Sequence, residues 1–356
     1  MADAALEARE FESLMAPFAP FEARPVLAVA VSGGRDSLAL VVLAQAWVAE
    51  RHGRVQAVIV DHGLRVESAR EAQATREQLA ALGIDAEILK WSGPKPATRV
   101  QQAARQARYR LLFDACRRHG ILHLLVAHHA DDQAETLAMR AARSSGADGL
   151  AGMAASVEHR DARLLRPLLP VPRARLTATL QARGIRWIDD PSNEDRRFER
   201  VRVRQDRIAP ALTLPPAGRT ERERRLAVAA LDTVVVGTDG IVLDQQGVAR
   251  LGKEIATSLL GRLVQAVAGR DYPPRRDRLA RAAGRLSQGI DRGRSGKSRD
   301  FTLSGCQFVL RQDPATHRLR WIVRPENGRR NDKKPGQPLV PAAFFACDAS
   351  GASHLG

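Results

Sequence analysis

The stretch Val26-Leu27-Ala28-Val29-Ala30-Val31-Ser32-Gly33-Gly34-Arg35-Asp36-Ser37 decides the fold of this chain. Its six apolar residues predict a buried strand, and the apolar run from Leu38 to Trp47 that follows predicts a helix. The glycines between them can bring the backbone close to a ligand at the positive end of that helix. The sequence therefore predicts a phosphate-binding loop, residues 32–37, at a strand-to-helix junction.

The composition of the phosphate loop, residues 32–37, distinguishes it from other phosphate-binding loops. It has neither the lysine of a Walker motif nor the Gly-x-Gly-x-x-Gly spacing of a dinucleotide site. Instead, Asp36 stands inside the loop, where its carboxylate would repel phosphate unless a divalent cation lay between them. The loop therefore points to ATP bound with Mg²⁺ and to Asp36 as the metal ligand. An ordinary glycine-rich turn is the alternative.

The charge of the chain favours a polyanionic partner. The 356 residues are enough for two domains, and their formal net charge is +16. Two blocks carry most of this charge: residues 160–207 hold 13 basic and 7 acidic residues, and residues 270–299 hold 10 basic and 3 acidic residues. We interpret both blocks as nucleic-acid contact surfaces; a general preference for arginine is the alternative. The aromatic content of 4% argues against a base-stacking platform.

Cysteine usage and hydropathy bear on the compartment. Cys116, Cys306 and Cys347 are far apart and form no Cys-x-x-Cys pair, which argues against a disulfide framework, a zinc site and a paired-thiol redox site. No apolar run approaches the length of a membrane span, and residues 1–25 do not resemble a secretory signal. We therefore expect a cytoplasmic protein with no membrane partner.

Strands and helices alternate through the first half of the chain. Apolar runs predict strands at 26–31, 55–60, 86–91 and 122–127, separated by helices at 37–51, 68–82, 99–119 and 131–143. This pattern predicts an α/β fold with a doubly wound parallel sheet. Ligands gather at the carboxyl ends of such strands, so the phosphate loop, Asp61-His62 and His128-His129 should converge on one crevice.

The second half of the chain has a different pattern. Residues 214–218, Leu-Pro-Pro-Ala-Gly, predict a linker, and residues 144–153 predict either a mobile lid or a plain connector. Hairpins at 233–243 and 302–323, with helices at 248–267 and 276–286, predict a smaller α+β domain. We expect domains at 1–214 and 215–326, followed by a flexible basic tail at 327–356.

Over residues 26–208 the chain resembles the bacterial tRNA(Ile)-lysidine synthases, because seven motifs occur in the same order as in that family. The family belongs to the N-type ATP pyrophosphatase (PP-loop) superfamily. Besides the phosphate loop, the motifs are Val-Asp-His-Gly-Leu-Arg (60–65), Ala-Arg-Gln-Ala-Arg-Tyr (104–109), Ala-His-His-Ala-Asp-Asp-Gln-Ala-Glu-Thr (127–136), Gly-Leu-Ala-Gly-Met (149–153), Leu-Arg-Pro-Leu-Leu (165–169) and Asp-Pro-Ser-Asn (190–193). The chain departs from the family at 200–204, where it reads Arg-Val-Arg-Val-Arg. The resemblance implies a sheet of the adenine nucleotide alpha hydrolase type, with residues 1–214 as the catalytic domain.

The resemblance implies a ligase that forms a C–N bond on a tRNA. ATP would adenylate C2 of wobble cytidine 34 in tRNA(Ile) with a CAU anticodon and release pyrophosphate. The ε-amine of free L-lysine would then attack C2, displace AMP and leave lysidine, so that the tRNA reads AUA instead of AUG. ATP and Mg²⁺ are the cofactors that this reaction requires.

The resemblance and the chemistry of the side chains assign roles around ATP. The expected ATP-binding residues are Ser32, Gly33, Gly34, Arg35, Asp36, Ser37 and His62. Arg105 is the candidate clamp on the α-phosphate during adenylation, and a solvated helix face is the alternative for it. His128 and His129 are interpreted as hydrogen-bonding groups for phosphate or nucleotide rather than as metal ligands, and a structural role at the strand end is the alternative.

The amine substrate and the tRNA have separate candidate residues. Asp132 and Glu135 are three residues apart and therefore share one helix face. The resemblance assigns both side chains to binding the amine of lysine. One of them would also accept the proton of that amine, and Asp132 is the candidate catalytic residue. The alternative is that both acidic residues only complement the helix dipole. Four arginines are expected to face tRNA: Arg166, Arg200, Arg202 and Arg204. The alternative is that they form an ordinary basic helix face. The smaller domain would also contact tRNA. A homodimer of this chain is a further possibility.

Two other functions compete with this interpretation. Another ATP pyrophosphatase that modifies tRNA, such as a thiolase, would need a sulfur-relay cysteine or a cluster, and Cys116 lies within a predicted helix without a partner cysteine nearby. A non-catalytic tRNA-binding protein would not need the phosphate loop, Arg105, Asp132 and Glu135 together.

Overall fold

The computed structural model divides the chain into two compact units, Met1–Pro215 and Pro216–Gly356. It describes residues 4–93, 95–98, 100–142, 152–188, 203, 219–237, 240–269, 273–288, 300–314 and 316–326. The division falls inside the Pro215-Pro216 pair of the predicted linker. The linker itself and the predicted tail at 327–356 lie outside the described residues, and the domain limits stay predictions.

The first unit is built on a six-stranded sheet, which confirms the predicted α/β class. Its strands follow the order β3-β2-β1-β4-β6-β5, and all pairs are parallel except β5 with β6. The strands are β1 (Val26–Val31), β2 (Arg54–Asp61), β3 (Asp85–Lys90), β4 (His123–Leu125), β5 (Ser156–Glu158) and β6 (Arg163–Leu165). The predicted strand at 122–127 is shorter in the structure, because only three of its residues pair with β1.

Helices cover the sheet of the first unit. They are α1 (Ala8–Met15), α2 (Arg35–Ala49), α3 (Ser68–Ala81), α4 (Val100–His119), α5 (Ala130–Ala142) and α6 (Arg173–Gln181). The four helices predicted in this half correspond to α2–α5. Helices α1 and α6 and the pair β5–β6 were not predicted; the two strands have only three residues each, too few to show a sequence period.

Strand β1 is buried on both faces, which explains its unbroken apolar run. Leu27, Val29 and Val31 pack with α2 in the largest core cluster of this unit. The alternate residues Ala28 and Ala30 belong to a second cluster that also includes side chains of α4. A parallel strand covered on both sides needs apolar residues at every position, as this one has.

The strand order fixes where a ligand can bind. From β1 the chain first adds β2 and β3 on one side, and it later returns to place β4 on the other side of β1. The order therefore reverses between β1 and β4, which makes the carboxyl ends of these two strands a topological switch point. The phosphate loop follows β1 and His128-His129 follow β4, so the two segments meet at this point.

The second unit is a smaller α+β unit, as predicted. Its antiparallel sheet has the order β7-β8-β11-β10-β9. The strands are β7 (Val234–Gly237), β8 (Gly240–Asp244), β9 (Phe301–Leu303), β10 (Cys306–Gln312) and β11 (Leu319–Pro325). The helices are α7 (Arg219–Thr233), α8 (Gln245–Arg250), α9 (Lys253–Ala268) and α10 (Arg276–Ser287).

The helix predicted at 248–267 is two helices in the structure. The side chain of Asp244 accepts a hydrogen bond of 2.7 Å from the backbone N–H of Gly247, so the first of them, α8, begins at Gln245. Gly252 then adopts extended backbone angles and caps α9.

Among the described residues of either unit, no helix is long and apolar enough to cross a membrane.

We predict that Gly33→Ala destabilises the first unit. Gly33 has φ +79°, and a Cβ there would lie 2.3 Å from Oγ1 of Thr75. The left-handed backbone and the close contact together should lower the free energy of unfolding by about 2–4 kcal/mol in urea titrations. Gly83→Ala is the matched control, because Gly83 has φ +70° and no atom would meet its Cβ within 4 Å. Equal losses for the two variants would contradict the steric part of this prediction.

Candidate active site

The phosphate loop is closed by its own hydroxyl groups. The hydroxyl of Ser37 donates to the carbonyl of Gly34 at 2.9 Å and accepts from the backbone N–H of Ser32 at 3.1 Å. Ser32 Oγ lies 3.2 Å from Ser37 Oγ. Gly34 caps α2 without a side-chain hydrogen bond. The two serines therefore shape the loop, and the N–H groups at the start of α2 stay available, where the helix end favours an anion.

Asp36 is surrounded by cationic groups. Its carboxylate lies 3.4 Å from Nε2 of His129, 3.6 Å from Nε of Arg173 and 3.7 Å from Nε of Arg35. Burial alone would raise the pKa of Asp36, but these neighbours outweigh burial and hold the pKa below its usual value. Asp36 is therefore ionised at neutral pH.

His129 joins the loop after β1 to the loop after β4. Its side chain is only 2% exposed, and Nε2 lies 3.4 Å from Asp36 and 3.5 Å from Oδ2 of Asp132. Its Nδ1 lies 3.5 Å from Asp131. Burial would lower the pKa of His129, but the three carboxylates raise it to about 9. The imidazole is therefore protonated at neutral pH and holds both loops together.

The acidic residues at the start of α5 have distinct contacts. Asp132 accepts a hydrogen bond of 3.2 Å from the backbone N–H of His129, and Asp131 accepts one of 2.9 Å from the N–H of Arg173. The contact with His129 lowers the pKa of Asp131 to about 2. Glu135 is buried on the same helix, with 2% exposure. Asp132 thus supports the helix start, the alternative considered from the sequence, and its carboxylate also reaches the His129 ring.

His62 lies at the carboxyl end of β2, beside a half-buried arginine of α4. Burial and the charge of Arg108 keep the pKa of His62 below its usual value, so this imidazole is neutral. Its ring is edge-on to Trp91, with centroids 6.3 Å apart. Arg105 instead lies on the exposed side of α4, with its guanidinium 5.0 Å from the ring of Tyr109. Arg108, which the motif did not single out, therefore acts on His62, and the role of Arg105 stays a prediction.

The four predicted tRNA-binding arginines have different outcomes. Arg166 is 7% exposed, and it donates to Nδ1 of His128 at 3.1 Å and to the carbonyl of Ala154 at 2.7 Å. A side chain so buried is better placed to orient His128 than to reach a phosphate backbone, and its tRNA contact stays a prediction. Arg200, Arg202 and Arg204 lie outside the described residues, as do residues 144–151 of the segment 144–153 that was predicted as a lid or a connector.

Buried polar atoms without hydrogen bonds concentrate at this site. Within the described ranges they include Oδ1 of Asp36, Nε of Arg35, Nε of Arg173 and Nδ1 of His129. Buried polar groups in native proteins nearly always have a hydrogen-bond partner, so such a concentration marks a place that is built for a ligand. The sequence did not predict Arg173 as part of this site. Its contact with Asp36 depends on how α6 packs against the phosphate loop, and no local sequence pattern indicates that packing.

The donor set fits Mg²⁺ only if a substrate supplies the other ligands. Across the part of the chain that the structure describes, no group of three or more His, Cys, Asp and Glu side chains could hold a metal ion. Asp36, however, presents a buried carboxylate oxygen that accepts no hydrogen bond from the described residues. Mg²⁺ commonly binds through one or two carboxylates together with substrate phosphates, and Asp36 fits that mode.

The fold and the loop define an ATP-binding domain of the PP-loop class, because residues 5–212 match the family model described as the PP-loop domain. Three curated relatives named tRNA(Ile)-lysidine synthase extend this match. The chain is 40% identical to the one from Bradyrhizobium sp. (strain BTAi1) over 92% of this chain and 97% of that relative. It is 51% identical to the one from Rhodopseudomonas palustris over 53% and 55% of the two chains, and 39% identical to the one from Ruegeria pomeroyi over 82% and 71%. The chain belongs to the tRNA(Ile)-lysidine synthase family.

Among solved structures, the chain is similar to the U34-tRNA thiolase NcsA from Methanococcus maripaludis with its [4Fe-4S] cluster. The sequence identity is 16%, the TM-score is 0.48, and the match covers 55% of this chain and 70% of that one.

We predict that His129 makes stability depend on pH between neutral and alkaline conditions. Its pKa is raised from 6.5 to about 9 in the folded protein, so its contribution is complete below pH 6.5 and is lost as the pH rises through 9. In metal-free buffer the unfolding free energy of the parent should fall between pH 7 and 10 by on the order of 2 kcal/mol more than that of His129→Asn. His52→Asn, which removes an exposed histidine, should keep the parental slope. Identical slopes for the parent and His129→Asn would show that the ring is not charged.

Proposed function

We propose that this chain is an enzyme that joins lysine to tRNA(Ile) at the expense of ATP. ATP adenylates the C2 carbonyl oxygen of wobble cytidine 34 in the CAU anticodon, and pyrophosphate leaves. The lysine ε-amine then attacks C2 and displaces AMP, which leaves lysidine and changes the codon read from AUG to AUA. Membership of the tRNA(Ile)-lysidine synthase family supports the reaction. The observation that supports this site for it is the contact of His129 with both Asp36 and Asp132, because it joins the proposed ATP-binding and lysine-binding residues.

The phosphate loop is proposed to hold the part of ATP that leaves. The N–H groups at the start of α2 and the side chain of Arg35 would contact its β- and γ-phosphates. An anion at a helix end gains about 0.3–1 kcal/mol, and up to ~2 kcal/mol where the end is partly buried. Backbone donors that are already fixed need no reorganisation when negative charge develops on the departing group.

Asp36 is proposed as the protein ligand of Mg²⁺, together with phosphate oxygens of ATP. When bound, Mg²⁺ spreads the negative charge of the departing pyrophosphate. His129 holds the Asp36 carboxylate in place through their contact of 3.4 Å. His62, neutral and half-buried at the end of β2, is proposed as a hydrogen-bonding contact to the nucleotide, and Arg105 as the clamp on the α-phosphate.

Asp132 and Glu135 are proposed to bind the amine of lysine. Asp132 lies in the first turn of α5, and Glu135, three residues further along the helix, is almost completely buried. A buried ammonium group needs an ionised partner, which a carboxylate supplies. The amine must lose a proton before it attacks C2, and Asp132 or Glu135 is proposed to accept that proton. Because His129 contacts Asp132 and Asp36, the amine would be held next to the ATP site.

The contact with tRNA is proposed to come from basic side chains of both units. Residues 160–207 and 270–299 hold most of the excess positive charge, and arginine forks suit phosphate oxygens. Arg166, Arg200, Arg202 and Arg204 stay the predicted contacts of the first block. The homodimer and the cytoplasmic location stay predictions.

Sulfur transfer is disfavoured by the cysteines that the structure describes. Cys116 is completely buried in α4, and burial together with Asp161 raises its pKa to about 12. Cys306 is buried in the core of the second unit. A thiol with so high a pKa is not ionised at neutral pH, and the thiolate is the form that attacks.

We predict that the purified chain transfers labelled lysine to tRNA(Ile) with a CAU anticodon when ATP and Mg²⁺ are present. Asp36→Ala should retain tRNA binding and lose pyrophosphate release by a factor of at least about 100, since the loop then lacks its metal ligand. Asp114→Ala, on the exposed face of α4, is the matched control and should behave as the parent. Absence of label in correctly folded tRNA would overturn the proposed function, and equal pyrophosphate release by Asp36→Ala would overturn the role of Asp36.

We predict that Glu135→Gln separates lysine binding from adenylation. Loss of one buried carboxylate should raise the KM for lysine by about tenfold or more, while tRNA-dependent pyrophosphate release without lysine stays within about twofold of the parent. Glu77→Gln, at an exposed position of α3, serves as the control. An unchanged KM for lysine in Glu135→Gln would exclude Glu135 from the amine site.

A further inference from the structure

Arg173 lies beside the phosphate loop although it comes from α6, far along the chain. Its Nε is 3.6 Å from Oδ1 of Asp36, and its side chain is 25% exposed. The side chain therefore lies next to Asp36 of the phosphate loop and is partly open to solvent. None of the site roles proposed above uses this side chain.

The backbone of Arg173 is held firmly. Its N–H donates to Asp131 at 2.9 Å, and the N–H of Ala130 donates to the carbonyl of Val171 at 3.0 Å, so the start of α6 is tied to the start of α5. Two residues later, Arg175 donates to Oε2 of Glu10 in α1 at 2.7 Å. The guanidinium of Arg173 thus projects from a fixed anchor, which lowers the entropy lost when a ligand binds.

The contact between Arg173 and Asp36 is an ion pair without a hydrogen bond. Nε of Arg173 is buried and donates to no acceptor among the described residues, and Oδ1 of Asp36 accepts from no donor among them. An arginine that serves only as a counter-ion commonly forms a bidentate pair with its carboxylate, with N–O distances of about 2.7–2.9 Å. At 3.6 Å from the carboxylate, the Nε donor of Arg173 is still available.

We propose that Arg173 is a phosphate-binding residue of this site and contacts the β- and γ-phosphates of ATP, the group that leaves as pyrophosphate. The inference rests on the function proposed above. Arg173 lies beside Asp36, and Asp36 lies in the first turn of α2, where the loop presents its N–H groups. For this reason the β- and γ-phosphates are the groups assigned to Arg173. The guanidinium supplies paired donors that match the oxygens of one phosphate group.

The competing role is purely structural, with Arg173 acting only as the counter-ion of Asp36. A double-mutant cycle separates the two roles. Inorganic pyrophosphate and AMP are titrated calorimetrically, in buffer that contains Mg²⁺, into the parent, Arg173→Gln, Asp36→Asn and the double variant. Arg173→Gln should weaken pyrophosphate binding by about tenfold both in the parent and in the Asp36→Asn background, and AMP binding should change by less than about twofold.

Two further variants complete the test. Arg183→Gln, an exposed arginine just after α6 that donates to the carbonyl of Thr179, should bind pyrophosphate like the parent. Arg173→Lys should recover part of the affinity, because it restores the charge without the fork. Circular dichroism confirms that each variant is folded.

The outcomes distinguish this inference from the proposed function. If the parent binds pyrophosphate and Arg173→Gln binds it equally well, Arg173 is not a phosphate ligand. If the effect of Arg173→Gln disappears in the Asp36→Asn background, Arg173 is only a counter-ion and the inference is wrong. If the parent neither binds pyrophosphate nor releases it from ATP, the proposed function fails and this inference fails with it.

Discussion

The contact of one protonated histidine with carboxylates from two loops is the interaction on which the site depends. His129 follows β4, Asp36 follows β1, and the two strands are neighbours only because the strand order reverses between them. An imidazolium buried to 2% exposure is tolerated because Asp36, Asp131 and Asp132 surround it. The same ring therefore fixes the phosphate loop relative to the start of α5, and with it the distance between the proposed ATP and lysine subsites.

Much of the fold could be predicted from the sequence because its central strand is buried on both faces. The run at 26–31 is apolar at every position, and the structure gives β1 the same limits. Helices α2–α5 differ from their predicted limits by no more than two residues at either end. Where the helix at 248–267 was predicted as one element, capping by Asp244 and Gly252 divides it. Caps depend on single residues and their backbone angles, and hydrophobic periodicity does not report them.

The candidate site could be predicted where it depends on strand ends and not where it depends on packing. The rule that ligands gather at carboxyl ends predicts from the sequence that the loops after β1 and β4 meet, and the structure shows Asp36 and His129 in contact. The place of His62 in the same crevice stays a prediction. Arg173 was not predicted, because α6 has no motif of its own that refers to the phosphate loop. Arg108 was not predicted as a neighbour of His62, because the pattern Arg-x-x-Arg-Tyr places two arginines on α4 and only the packing distinguishes the half-buried side chain from the exposed one. The role of Arg105 stays a prediction. These misses concern tertiary contacts, which a single sequence does not encode locally.

The charges of the site explain why ATP should arrive together with a cation. Three cationic side chains, Arg35, Arg173 and His129, face three carboxylates, Asp36, Asp131 and Asp132, so this group of six is balanced without a ligand. A bare triphosphate would compete with Asp36 for the same guanidinium groups and would meet its negative charge at close range. In the proposed function, a divalent cation between Asp36 and the phosphates would remove that repulsion and would leave Arg173 able to turn toward the phosphate oxygens. We therefore expect the carboxylate inside the loop to favour the metal-bound nucleotide, which a loop of glycine and serine alone would not do.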